Sequence, residues 1–368
     1  MPKRRPAKKR SPAVAVLLAV LCLLLLAVSR YLDSRSEPAA SVSAPEAAQA
    51  DAPKLEVHFL DIGQGDSALL FCGDETLLID GGKVKNNQKL IARLKELEVD
   101  HLDAIICSHP DEDHCGGLSA VLASTRTDAF YCSVDSWHTK AFSDVTKYVE
   151  QQGICVTVPQ AGDSFAFGDA SVEFLGPVVD YGDDPNEGSL VARVRYGETS
   201  FLFTGDMGFE AEDDMLAAGV DVSATVLKVA HHGSAGSSST EFLQAVHPQY
   251  AVISVGADND YGHPTEAALN RLAACGIPVY RTDLLGEIIA VSDGKTVTIT
   301  SASNEAPPAS DAASQTTGSY GYVGNSSSKV VHLAGCGKLP GESNRVYFAS
   351  LDEALAAGYR KHASCLGS

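Results

Sequence analysis

Short apolar runs recur through the middle of the chain, and most of them stop at a glycine, an aspartate or a histidine. LEVHFLD (55–61), SALLFC (67–72) and TLLID (76–80) predict three early strands joined by glycine-containing turns. The period then changes. In NNQKLIARLKELEV (86–99), Leu90, Ile91, Leu94 and Leu97 fall on one helical face. DAIICS (103–108) is again a strand, GGLSAVLA (116–123) begins a helix, and VARVRY, SFLFTGD, TVLKVAHHG and YAVISVG supply later strands. PTEAALNRLAACG (264–276) opens with a proline and closes with a glycine, the usual limits of a helix. Strands and helices mixed in this way predict a layered α/β domain over 54–300, with loops at strand ends available to form a site.

The flanks read differently. Residues 13–28, AVAVLLAVLCLLLLAV, carry no charge and follow a basic start. As a helix they would span about 24 Å, a little short of a ~30 Å hydrocarbon core. Two readings stay open for 1–32: a membrane anchor with its basic tip in the cytoplasm, or a secretory signal cut after Ala27-Val28-Ser29. Both put the globular part outside the cytoplasm, at the membrane or secreted. Residues 33–53 and 301–321 are rich in alanine, proline and serine without apolar period, and read as a stalk and a linker. A short module over 322–368 closes the chain.

Charge narrows the partners. Seven basic groups and no acid fall in 1–32, so the remaining 21 basic and 47 acidic groups carry a net of −26. Such a surface repels polyanions unless bound metal or a local basic patch intervenes. Six of the nine cysteines (72, 107, 115, 132, 155 and 275) lie in the α/β domain. They could pair into disulfides, with no connectivity legible from sequence.

The strand ends carry the chemistry. SHPDEDHCGG (108–117) packs His109, Asp111, Glu112, Asp113 and His114 into six positions directly after an apolar run. Such a cluster at the end of a buried strand is costly unless something positive is bound. Asp206 follows SFLFTG, His231 and His232 follow TVLKVA, and His263 lies a few residues past YAVISVG. Carboxylates and imidazoles gathered together suit borderline or hard metals such as zinc or manganese.

With HPDEDH at 109–114, LFTGD at 202–206 and LLIDGG at 77–82, the sequence resembles the metallo-β-lactamase fold of hydrolases. FLDIGQGDS (59–67), LKVAHHGS (227–234), YGHP (261–264) and VYRTDLLGEI (279–288) make it similar to the extracytoplasmic domain of the competence protein ComEC. The phosphorylcholine esterases of the same branch look similar too. The resemblance covers about 55–300 and implies an αββα sandwich. No polytopic channel segment is in the sequence, so a stand-alone relative is expected.

The resemblance also implies two divalent metals, zinc or manganese. His109 and Asp111 would hold one; Asp113, His114 and His232 the other; Asp206 would bridge them, and a water activated between them would be the nucleophile. Asp111 stands where the family's usual motif has histidine, which tilts the site toward harder ions. Spacing does not choose between His231 and His232 as ligand; the resemblance points to His232. His231 and His263, with Asp113, are the expected catalytic groups, the two histidines at the leaving oxyanion. The family's third-motif histidine has no clear match: His138 lies where a substrate loop is expected, and Asn186 or Ser189 stands in its place. Asp80 is expected to orient a ligand from behind, and Gln64 and Asp66 to shape the floor.

In the final module, His332-x3-Cys336 and His362-x2-Cys365 form two close pairs 25 residues apart. Four nitrogen and sulfur donors so spaced suit a closed structural zinc, and fewer than 50 residues need such a staple. The stretch resembles the zinc-binding module at the start of Ada-type DNA-repair proteins. Two of its cysteines are histidine here, so the methyl-accepting chemistry does not carry over. A Cys336–Cys365 disulfide is the alternative. The expected function is a membrane-anchored, extracytoplasmic metal-dependent hydrolase acting on phosphodiesters, either nucleic acid or an envelope component. The alternative is a non-catalytic binding protein of the same fold. No protein partner is implied.

Overall fold

The computed structural model describes residues 54–303, 322–333, 338–341, 344–348, 351–362 and 366. Strands β1 (Leu55–Phe59), β2 (Ala68–Cys72) and β3 (Glu75–Ile79) run antiparallel; β4 (His101–Cys107), β5 (Arg126–Cys132) and β6 (Val156–Thr157) then add in parallel. The chain crosses to a second sheet. There β7 (Ser164–Phe167), β8 (Ala170–Gly176), β9 (Val191–Tyr196) and β10 (Thr199–Phe203) meander, and β11 (Val226–Lys228), β12 (Tyr250–Ile253) and β13 (Val279–Arg281) follow in parallel. Finally β14 (Ile288–Ser292) and β15 (Val297–Ser301) return to the first sheet beside β1.

Alternation decides which faces meet. Leu55, Val57 and Phe59 of β1 point at Phe201 and Phe203 of β10 and Val194 of β9, forming the core between the sheets. The Phe59 and Phe203 rings stack across it, 5.9 Å apart. On the outer face of the first sheet, Leu78 and Ile105 receive α1 (Asn87–Glu96), α2 (Glu112–Cys115), α3 (Leu118–Ser124) and α4 (Lys140–Gln151). On that of the second, Leu202, Leu227 and Ala251 receive α5 (Phe209–Ala217), α6 (Thr240–Val246) and α7 (Glu266–Ala274). One turn, α8 (Thr282–Leu285), leads into β14. The result is the four-layer αββα sandwich.

Some expectations shift or fall elsewhere. β15 ends at Ser301, and Ala302 and Ser303 still bond back to Glu287 and Leu285, so the domain runs past residue 300. All six cysteines of the domain are free thiols, although Cys107 and Cys132 are register partners on adjacent strands. The apolar segment 13–28, the stalk and most of the linker lie outside the described residues. Among the described residues, no helix is long and apolar enough to cross a membrane.

The final module is a small α+β unit. β16 (Tyr322–Asn325), β17 (Val330–Leu333), β18 (Arg345–Phe348) and β19 (Arg360–Lys361) form a sheet in the order β18-β16-β17-β19. With α9 (Leu351–Ala356) it closes over Val331, Val346, Phe348, Ala354 and Tyr359. Tyr347 meets Thr240 at the start of α6 at 3.2 Å.

One buried cation sets the loop that follows β11. Arg271 on α7 is fully buried and donates to the carbonyls of Ser234, Ala235, Ser237 and Ser238. Glu212 on α5 accepts the backbone N–H groups of Ser238 and Ser239. Burial pushes the Glu212 carboxyl up to about 8, against the pull of those donors and of Arg271. Arg271→Met leaves these four carbonyls without their donor. The expected loss is about 3–5 kcal/mol, read from the urea midpoint; a loss under about 0.5 kcal/mol would show that the loop holds itself.

Candidate metal centre

Polar groups from both sheets meet at one edge of the sandwich. Each arrives on the loop just past a strand, where the backbone leaves its ladder and side chains can converge. Two glycines make the approach possible. Gly65 sits at φ +130°, and a side chain there would run into the Asp113 carbonyl. Gly205 sits at φ +51°, where a Cβ would lie 2.8 Å from the Ser189 hydroxyl. Asp80, His231 and His232 adopt positive φ despite having side chains. Left-handed backbone of this kind costs energy and persists where surrounding contacts enforce it, often at working sites.

Three imidazoles share one arrangement. His114 Nδ1 donates to the Asp80 carboxylate at 2.9 Å, and His232 Nδ1 donates to the Ser254 carbonyl at 2.9 Å. His109 Nδ1 lies 3.0 Å from the Ser108 hydroxyl and 3.3 Å from that of Ser189. In all three the opposite nitrogen, Nε2, is buried without a hydrogen-bond partner, and so is Oδ1 of Asp206. The Asp206 carboxylate stands among them, 3.1 Å from His114 Nε2 and 3.6 Å from His232 Nε2. Buried Nε2 atoms without a hydrogen-bond partner, on rings whose rear nitrogens are fixed, are what imidazole ligands of a divalent metal require once any proton on Nε2 has left. The donor set fits.

The other expected ligands lie at the rim of this group. Asp113 is 3.7 Å from His232 Nε2. Asp111, 41% exposed, reaches 4.0 Å from His109 Nε2. Ligand atoms of His109, His114 and Asp206 all lie within 4.8 Å of one another, as do those of Asp66, Asp206 and His232. Asp66 however sits on the Nδ1 side of His232, at 3.1 Å, and pairs with the buried ammonium of Lys228. It therefore holds the ring from behind. Its neighbour Gln64 accepts from Gly256 N at 3.2 Å, tying the first loop to the one after β12.

His231 and His263 stand on the more exposed side of the Nε2 cluster. His231 Nε2 is 3.5 Å from Asp206 with its side chain 31% exposed, and its ring lies 5.5 Å from that of His263. At the third-motif position it is Ser189 that reaches the site: its hydroxyl accepts from Asp206 N at 3.1 Å and touches His109. Asn186 sits in the preceding turn, with its side-chain oxygen buried and unpaired. His138 lies against Trp137 with its ring tilted by 37°, in the loop after β5, and is in no donor group among the described residues. Lys228, Ser108 and Ser254 went unnoticed in the sequence. Lys228 lay inside an apolar run and carried the one signal, a charge at a buried strand position.

Electrostatics separates the imidazoles. Burial, helped by His114, pushes His109 down to about 3, so it is neutral. His114 goes the other way: burial opposes its charge, but the Asp206, Asp80 and Asp66 carboxylates hold it well above the ordinary range. The same contest raises His232 to about 9. Burial and the neighbouring His231 and His232 bring His263 down to about 4. Asp206 and Asp113 resist burial because these imidazoles flank them, and both are held low.

The chain belongs to the metallo-beta-lactamase superfamily, which it matches over residues 60–257. Among its members this one is ComEC-like. It is similar to Competence protein ComA of Neisseria gonorrhoeae, 33% identical over 285 residues that cover 76% of this chain and 38% of that protein. It is similar to ComE operon protein 3 of Bacillus subtilis (strain 168), 31% identical over 63% of this chain and 32% of that protein. The chain thus spans about a third of the length of these relatives. The solved metallo-beta-lactamase fold protein YhfI from Bacillus subtilis gives a TM-score of 0.46 at 14% identity, covering 65% of this chain and 100% of that one.

Two outcomes follow for metal binding. Asp80→Asn frees the His114 ring and should weaken affinity roughly 10–100-fold, read by competition with a chromophoric chelator; unchanged affinity would remove Asp80 from the site. Protons on His114 and His232 must leave before their Nε2 atoms can bind metal. Metal uptake therefore releases protons at neutral pH, and affinity rises with pH up to the His232 value near 9. Calorimetry in buffers of different ionisation enthalpy measures that release.

Proposed function

We propose that this protein is a phosphodiesterase working with two divalent metals, held at the outer face of the membrane by residues 1–32. The observation that carries the reading is the set of buried, unpartnered Nε2 atoms of His109, His114 and His232 around Asp206. His109, Asp111 and Asp206 would hold one ion, and Asp113, His114, His232 and Asp206 the other. Such ions lower the pKa of a water and polarise a phosphoryl oxygen.

The chain's own residues do the rest. Asp80 and the Ser254 carbonyl hold two rings in the tautomer that presents Nε2. Lys228 offsets the charge of Asp66, so that Asp66 adds to the orientation of His232. His231 and His263 line the approach, and their lowered pKa values make them neutral hydrogen-bond donors to a departing oxygen in place of charged acids. The relatives' names, which speak of competence and recombination, favour nucleic acid over an envelope ester. The net charge of −26 over residues 33–368 favours short strands over long duplex.

The final module supports a separate structural zinc. His332 on β17 and His362 after β19 bring their rings to 4.0 Å, and His332 Nδ1 is buried without a hydrogen-bond partner. Cys336 and Cys365, the other two donors, lie outside the described residues. Purified full chain should hold three metals and hydrolyse bis-p-nitrophenyl phosphate with zinc or manganese. Asp206→Ala should lower turnover by about three orders of magnitude or more while keeping the module's ion. Metal binding without turnover on any diester tried would leave a binding protein of this fold.

A further inference from the structure

Five side chains close a ring around the mouth of the metal centre, and two of them, Tyr261 and Lys83, have neither a metal-holding nor a proton-handling role in the reading above. Tyr261 is 59% exposed, more than any other large apolar side chain among the described residues. It is nevertheless held. Asn259 accepts from the backbone N–H groups of Tyr261 and His263 and donates to the carbonyls of Gly256 and His263, so the loop after β12 is stapled at four points. The Tyr261 ring stacks on His263, 24° from parallel at 5.8 Å. Lys83, from the loop after β3 on the other sheet, donates to the Tyr261 hydroxyl at 3.2 Å and lies 4.9 Å from its ring centre. The same ammonium is 3.8 Å from the Asp113 carboxylate. Asp113 meets His232, and His232 meets His263, which completes the ring.

An aromatic face left largely in water costs free energy and is held here by four hydrogen bonds. A cation beside it, on a domain of strong negative charge, supplies what an anionic ligand would otherwise lack. We propose that Tyr261 and Lys83 form a substrate grip, in which Tyr261 stacks a nucleobase on the non-leaving side of the scissile phosphodiester and Lys83 takes a neighbouring phosphoryl oxygen. The grip rests on the phosphodiesterase reading above and goes beyond it by assigning residues that set substrate preference. A choline headgroup fits less well, because the Lys83 ammonium already lies against the ring and repels a second cation. A nucleobase is neutral, and stacking suits any of the four bases.

The test uses the full chain loaded with zinc or manganese and three p-nitrophenyl phosphodiesters sharing one leaving group: those of thymidine 5′-phosphate, methyl phosphate and phosphorylcholine. Tyr261→Ala should raise KM for the thymidine ester roughly 5–150-fold, with kcat kept within about twofold and the methyl ester little changed. Tyr261→Phe should recover most of that loss. Lys83→Ala should raise KM for the thymidine and methyl esters alike, with Lys83→Arg restoring it. Metal content and circular dichroism equal to those of the unaltered chain show that the site is intact. Equal effects of Tyr261→Ala on thymidine and methyl esters, or a larger effect on the choline ester, would overturn the grip. Should the unaltered chain hydrolyse none of the three, the phosphodiesterase reading fails by itself. Calorimetric binding of thymidine 5′-monophosphate then decides the grip: affinity lost in Tyr261→Ala supports it, and unchanged or absent affinity overturns it.

Discussion

The hydrogen bond between His114 Nδ1 and the Asp80 carboxylate is the contact on which the site depends. Asp80 ends β3 in a left-handed conformation, and the same carboxylate also accepts the backbone N–H and hydroxyl of Ser108 at the end of β4. One side chain therefore fixes the exit of two neighbouring strands and the tautomer of a ring between them. The loop 108–114 can present five polar groups because its first residue is pinned in this way. Without that anchor the carboxylates and imidazoles would be a solvated acidic turn, with nothing to aim them.

The second sheet answers with its own version of the device. His232 is held from behind by a backbone carbonyl and by Asp66, and Asp66 by Lys228. Burying a carboxylate and an ammonium side by side is costly in general. Here the Asp66 carboxylate also holds His232, and its backbone N–H bonds the Asp113 carbonyl. The turn with two glycines, the metal-facing loop and the end of β11 are thereby bound into one unit.

Much of this could be read in advance, and the reason is local. Strand ends advertise themselves, because an apolar run that halts at Gly-Asp or His-His changes pattern within two residues; His109, His114, Asp206 and His232 were all visible this way. Asp80 was legible for the same reason. Groups that act from a distance in sequence were not. Ser254 contributes a carbonyl, which has no signature in the side-chain alphabet. Ser189 was one of two residues expected in place of a histidine, but its contacts to His109 and the Asp206 backbone were not legible. Lys228 was hidden in an apolar strand, and Tyr261 lay in a loop whose shape depends on Asn259. Among larger elements, α4 to α6 and the strands from β5 to β8 drew no expectation, although Phe142, Val145 and Val149 give α4 a buried apolar face.

His109 and His114 are carried by the first sheet, and Asp206 and His232 by the second. Between the sheets the core is apolar, and polar links such as the hydrogen bond between the Thr199 and Ser292 hydroxyls, 2.6 Å, join them at its margins. An ion gripped from both sides would act as a rivet across that seam. The sandwich would then be laterally stiff where chemistry is done. Such a protein would carry its metal as part of its framework, and the supply of ions where it folds would govern how soon it becomes rigid.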